Sequence, residues 1–76
     1  MGWGVADLAG MVTQRRRALG LTQADAAAVS GVSERFVREV ESGKQTLRLD
    51  KLEQLLDALG VELVVRVRGA SQAEPS

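Results

Sequence analysis

The chain has 76 residues, 45% of them apolar, and its 10 basic and 10 acidic side chains cancel to a net charge of zero with a pI near 6.2. That length accommodates one small domain with a modest aliphatic core, since Trp3 and Phe36 are the only aromatics, and it makes help from oligomerisation plausible. With no Cys and no His, disulfides, thiolate or imidazole metal sites and histidine acid–base chemistry are excluded, and no apolar run approaches the roughly 20 residues of a membrane span.

Neither a cofactor nor an enzymatic activity is expected. There is no Gly-rich phosphate loop, and the carboxylates form no catalytic arrangement. The opening MGWGVADLAG lacks the basic start and long apolar stretch of a signal peptide, so a cytoplasmic protein without membrane contact is the expectation. A neutral balance counts against indiscriminate nucleic-acid binding, but distribution matters more than the sum. Arg15, Arg16 and Arg17 form one basic block, Arg35, Arg38 and Lys44 a second, Arg48 and Lys51 a third.

Residues 1–4 carry two glycines and are expected to be loose, with Trp3 lying on the domain surface or on a partner subunit. From Val5 to Leu19 the apolar positions Val5, Leu8, Met11, Val12 and Leu19 recur at helical spacing. Asp7 suits the start of that helix, and the arginine block its last turns before Gly20. Thr22 and Asp25 then form a short capping box for an Ala-rich second helix ending near Val29. Gly31 supplies the positive φ of a sharp turn, and Val32 plugs the corner. Ser33 caps a third helix with Phe36, Val37 and Val40 on one side. Glu34, Arg35, Arg38 and Glu39 cover a sector of about 140° on the other. Gly43 stops it.

The period of Leu49, Leu52, Leu55, Leu56 and Leu59 defines a fourth helix ended by Gly60. Thereafter Val61, Leu63, Val65 and Val67 alternate with Glu62, Val64, Arg66 and Arg68, the period of a strand. This strand has no partner in the chain, so it is expected to pair with its copy in a homodimer as a two-fold antiparallel ribbon. An extended tail over its own helices is the alternative. The boundaries expected are therefore a flexible 1–4, one mainly helical domain over 5–68 with its dimerisation strand at 61–68, and a disordered tail over 69–76.

Helix, glycine turn and helix in these lengths match the helix-turn-helix unit, and the polar face of the third helix suits the major groove. Arg35 or Arg38 can donate two parallel hydrogen bonds to guanine, and Glu34 or Glu39 can accept from cytosine N4. Salt bridges on a solvated face are the bland alternative, because Glu34 and Arg38 stand four apart.

The segments LTQ, GVS, E-x-G and LxxLLDALGV together resemble the Xre/phage-repressor family of helix-turn-helix proteins over Arg16 to Val61. That resemblance implies a mainly α, lambda-repressor-like bundle of four to five helices that binds palindromic double-stranded operator DNA as a dimer. It assigns Gln23 to a phosphate, Ser33, Glu34, Arg35 and Glu39 to bases, and Arg38 and Lys44 to bases or backbone. Arg16 and Glu41 match the family's buried ion pair. Ala26 stands where the family usually has Leu, leaving room for Phe36, which itself replaces a small polar residue. Core packing is the expected role of Phe36, and contact with a thymine methyl the alternative. The added strand resembles antitoxins of the HipB type, which implies autoregulation of an operon and a HipA-like kinase toxin as partner. A stand-alone phage or mobile-element regulator and a protein-interaction module without DNA are the rival readings.

Overall fold

Four α-helices, α1 (Val5–Ala18), α2 (Gln23–Ser30), α3 (Glu34–Glu41) and α4 (Leu49–Ala58), follow one another in the computed structural model, which describes residues 5–64. No strand occurs among the described residues. Residues 65–68 of the expected strand, Trp3 and the 69–76 tail lie outside them.

Each helix end has a local cause. Thr22 Oγ1 accepts from the Asp25 amide at 3.0 Å while Asp25 Oδ2 accepts from the Thr22 amide at 3.0 Å, so two otherwise unpaired N–H groups are satisfied reciprocally. The bond from the Thr22 amide, with help from the Thr22 side chain, holds the Asp25 carboxyl below its ordinary pKa. Ser33 Oγ likewise accepts from the Phe36 amide at 3.0 Å. Helices α1, α3 and α4 terminate alike. The amides of Leu21, Lys44 and Val61 reach back to the carbonyls of Arg16, Glu39 and Leu56 at 3.0, 3.1 and 2.9 Å, each over a left-handed glycine. In α1 and α4 the residue after that glycine, Leu21 or Val61, then packs against the core. The terminator thereby aims the next segment as well as ending the helix.

The core is a single cluster in which Leu8 and Val12 of α1 meet Ala26 and Ala27 of α2, Phe36, Val37 and Val40 of α3, and Leu52, Leu55, Leu56 and Leu59 from α4 and its end. Helix α2 packs on α3 and α4, and α1 packs on α3. The small Ala26 and Ala27 let neighbours approach, and Phe36 joins the same cluster at 8% exposure. Three apolar residues of the sequence pattern face outward: Met11, Leu19 and Leu49 are 38%, 44% and 57% exposed. Leu8, Val12 and Arg16 share the inward stripe of α1, so Met11 falls on its shoulder. Leu19 follows the end of the helix, and Leu49 precedes the packed face of α4.

Between α2 and α3 the chain turns at Gly31, whose φ is +82° and whose amide donates to the Ala27 carbonyl at 2.9 Å. A Cβ at this glycine would meet nothing within 4 Å, so the cost of a side chain there is purely that of the backbone. Gly31→Ala is expected to lower stability by about 1–2 kcal/mol, read as a reduced urea midpoint. A midpoint unchanged or raised would show that the turn tolerates other backbone conformations.

Candidate nucleic-acid interface

The turn and the two caps hold α3 with its apolar side against the core and its polar side in solvent. Phe36, Val37 and Val40 are buried, whereas Glu34, Arg35 and Arg38 are exposed and Glu39 is half-buried. Ser33 and Lys44 are exposed at either end of the same helix. The Ser33 oxygen is used as a cap acceptor, which leaves its hydroxyl proton available to an anion or a base edge.

Within the chain the charges of this face pair with one another. Arg38 Nη1 lies 2.8 Å from Glu34 Oε2, Arg35 Nε 3.3 Å from Glu39 Oε2, and Lys44 Nζ 3.4 Å from the same Glu39 oxygen. The solvated alternative weighed from the sequence is thus realised in the isolated chain. Magnitudes decide whether it forbids a reading role. Exposed ion pairs contribute about 0.2–1 kcal/mol, whereas a bidentate arginine–guanine contact discriminates by about 1–3 kcal/mol. These pairs can be exchanged for base contacts at small cost. They also keep the face near neutrality, which suppresses attachment to unmatched phosphates.

Behind the face sits a buried charged network. Arg16 Nε is 2.6 Å from Glu41 Oε2 and its Nη2 donates to Glu41 Oε1 at 3.0 Å, while Nη1 donates to the Leu21 carbonyl at 2.8 Å. The two side chains are only 11% and 7% exposed. Gln23 Nε2 donates to Glu41 Oε1 at 3.1 Å, so the residue assigned to a phosphate is also tied to the back of α3 and keeps one amide N–H for another acceptor. The network links α1, α2 and α3 through polar groups that are all satisfied. No buried side-chain polar atom among the described residues lacks a partner. Burial pushes the Glu41 carboxyl up, but the hydrogen bonds from Arg16 and Gln23 and the charge of Arg16 outweigh it and leave it below its ordinary range. The hydrogen bond with Glu41 raises the Arg16 guanidinium further above its ordinary value, against the opposing effect of burial.

The expected dimerisation residues divide. Val61 and Leu63 are half-buried and pack on the core of their own chain, whereas Glu62 and Val64 are exposed. Val65 and Val67 lie outside the described residues. Two contacts escaped sequence reasoning, that of Gln23 with Glu41 and one made by Arg15. Arg15, read there as part of a basic block and as a complement to the α1 dipole, donates from Nε to the Leu59 carbonyl at 2.7 Å and binds the end of α1 to the end of α4. Its partner lies 44 positions away, and nothing in the local pattern signals it. Arg48, counted in a basic block, is paired with Asp50 at 2.7 Å. No helix among the described residues is long and apolar enough to cross a membrane.

Residues 12–65 match the family described as Helix-turn-helix. The chain is also 34% identical over 64 residues to y4mF of Sinorhizobium fredii (strain NBRC 101917 / NGR234), an uncharacterized HTH-type transcriptional regulator, with 84% of each chain covered. The chain belongs to the helix-turn-helix family of DNA-binding transcriptional regulators. Among solved structures, the fold is similar to that of HipB in its complex with an O4 20mer, with a TM-score of 0.76, 18% identity and 90% of this chain against 96% of that one. The HipA–HipB–O2–O3 complex gives the same TM-score of 0.76 at 18% identity over 90% and 96% of the two chains. A point mutant of the restriction-modification controller protein C.Esp1396I aligns with a TM-score of 0.67 at 24% identity, over 76% of this chain and 73% of that one. At such identities the likeness is one of fold.

Proposed function

We propose that this chain is a homodimeric, sequence-specific repressor in which each copy lays α3 in the major groove of a palindromic operator. The observation that carries this reading is the division of α3 itself, with Phe36, Val37 and Val40 buried and Glu34, Arg35, Arg38 and Glu39 turned outward on an element fixed by the Gly31 turn. Arg35 and Arg38 would donate to guanine edges and Glu34 and Glu39 would accept from cytosine. Ser33, Gln23 and Lys44, around the ends of the two helices, would engage bases or phosphates. Two copies would address half-sites about one turn, roughly 34 Å, apart or at a multiple of it.

Arg35→Ala is expected to cost about 1–3 kcal/mol on the preferred duplex and to relax selectivity at one base pair, as measured by titration against a set of single-position operator variants. Equal weakening on every sequence would assign Arg35 to the phosphate backbone instead. Were a double Arg35→Ala, Arg38→Ala variant to keep its regulatory role in the cell, the protein-interaction reading would replace this one.

The finer role proposed is that of an antitoxin, repressing its own operon from the cytoplasm while binding a HipA-like kinase. Support comes from the fold shared with HipB over 90% of the chain, including HipB in a complex with HipA. The rival is a stand-alone regulator, which the likeness to a restriction-modification controller protein favours. Co-purification from the native host separates them: a kinase-like protein recovered with the chain and its DNA supports the antitoxin, and DNA recovered alone supports the stand-alone regulator.

A further inference from the structure

The polar face of α3 carries two ion pairs of the same four-residue spacing, and they are built differently. Glu34 and Arg38 follow the order that helix physics favours, with the acid in the first turn and the base in the last. Arg35 and Glu39 stand the other way round, the base near the start of the helix and the acid near its end. Each of these two charges opposes the helix dipole, and the base-before-acid order is the weaker one for holding a helix together. Stability of α3 therefore accounts for the first pair and gives no reason for the second.

The atoms used differ as well. Arg38 meets its carboxylate through Nη1, at 2.8 Å. Arg35 meets Glu39 through Nε, at 3.3 Å, which leaves Nη1 and Nη2 to another acceptor. The Arg35 side chain is 83% exposed and that of Glu39 only 27%, the two extremes among these four residues. Lys44 Nζ lies 3.4 Å from the same Glu39 oxygen, so the carboxylate is fixed between two cations.

A bidentate contact to guanine needs two neighbouring N–H groups aimed at O6 and N7. Arg35 can offer Nη1 and Nη2 end-on while Glu39 keeps hold of Nε. Arg38 can offer the same two nitrogens only by giving up its bond to Glu34. A long arginine side chain also loses rotamer freedom on binding, and a carboxylate that already restricts it removes part of that loss. We infer that Glu39 is a positioning residue that holds Arg35 end-on for a guanine, which makes Arg35, and not Arg38, the residue that selects that base. The inference rests on the operator reading above and divides the labour within it. Both cations sit on Glu39 Oε2, and Oε1 stays open to the cytosine contact.

Binding titrations of α3 variants against duplex DNA test this. The wild-type chain first selects its site from a randomised duplex pool, and the position at which Arg35→Ala relaxes selectivity marks the guanine. The quantity read is the ratio of dissociation constants at that position, wrong base over guanine. Glu39→Ala is expected to lower this ratio about tenfold while tightening binding to random duplex, because a charge that repels phosphates is gone. Ala is the best helix former, and titrating well below the melting temperature keeps the variant folded. In an Arg35→Ala background the same substitution should leave the ratio unchanged, since nothing remains to be positioned. Arg38→Ala should alter it by about twofold at most. Glu39→Gln keeps an acceptor oxygen at the same reach and should retain more of the ratio than Glu39→Ala.

A ratio that survives Glu39→Ala would overturn the inference. So would an equal fall in the Arg35→Ala background, which would make Glu39 itself the reader of that base pair. Equal losses in Glu39→Gln and Glu39→Ala, a tenfold loss in Arg38→Ala, or an Arg35→Ala variant that marks no position would also overturn it. Each of these results leaves the operator reading standing. A wild type that selects no sequence from the pool overturns that reading, and the inference with it.

Discussion

Glu41→Ala is expected to lower folding stability by about 3–5 kcal/mol, a large share of the roughly 5–15 kcal/mol that holds a small domain together. The loss comes less from the missing attraction than from what remains. Arg16 would stay at 11% side-chain exposure with two of its donors deprived of their acceptor, and the Gln23 amide would lose its partner too. Urea unfolding followed by circular dichroism measures the effect, and a midpoint close to wild type would show that Arg16 escapes to solvent on truncation. The same carboxylate gives the protein a directional pH dependence. Its pKa in the folded chain lies below the ordinary 4.5, so the unfolded chain binds the proton more readily. The stability it contributes is therefore fully present above about pH 5.5, and is lost as pH falls through its folded value. Glu41→Gln should flatten the acid limb of the melting curve. An acid limb as steep as wild type would transfer that role to other carboxylates such as Asp25, which is also held low by Thr22.

Phe36→Ala is expected to cost about 3–5 kcal/mol, because the ring is 8% exposed within the cluster of Ala26, Val37 and Val40 and small neighbours cannot collapse into its space. The experiment also decides between the two roles the sequence left open. A core ring predicts a large fall in the unfolding midpoint with the order of preferred operator bases unchanged under conditions where the variant is folded. A ring that touches a thymine methyl predicts the reverse, a small stability change and altered preference at one A·T pair.

What could be read from the sequence shares one property: it depends on residues three to five positions apart. The capping box of Thr22 and Asp25, the cap of Ser33, the glycines that end each helix and the two-sidedness of α3 all arise from contacts within one or two turns. The four helices and the helix-turn-helix follow from such local rules, and the solvated ion pairs of α3 follow from the same spacing. Arg16 and Glu41, 25 positions apart, were named through a family resemblance and not through any local pattern.

The stretch from Leu21 to Gly43 therefore carries its own instructions for making a helix, a turn and an outward-facing polar helix. Only the tertiary structure decided how that unit is held. It placed Gln23 against Glu41, clamped Arg15 onto the Leu59 carbonyl, and turned Met11, Leu19 and Leu49 outward. The physical reason is that these features depend on which helices meet and at what depth. That outcome is set by the volumes of Ala26, Phe36 and the leucines of α4 packed together, and no single segment contains it.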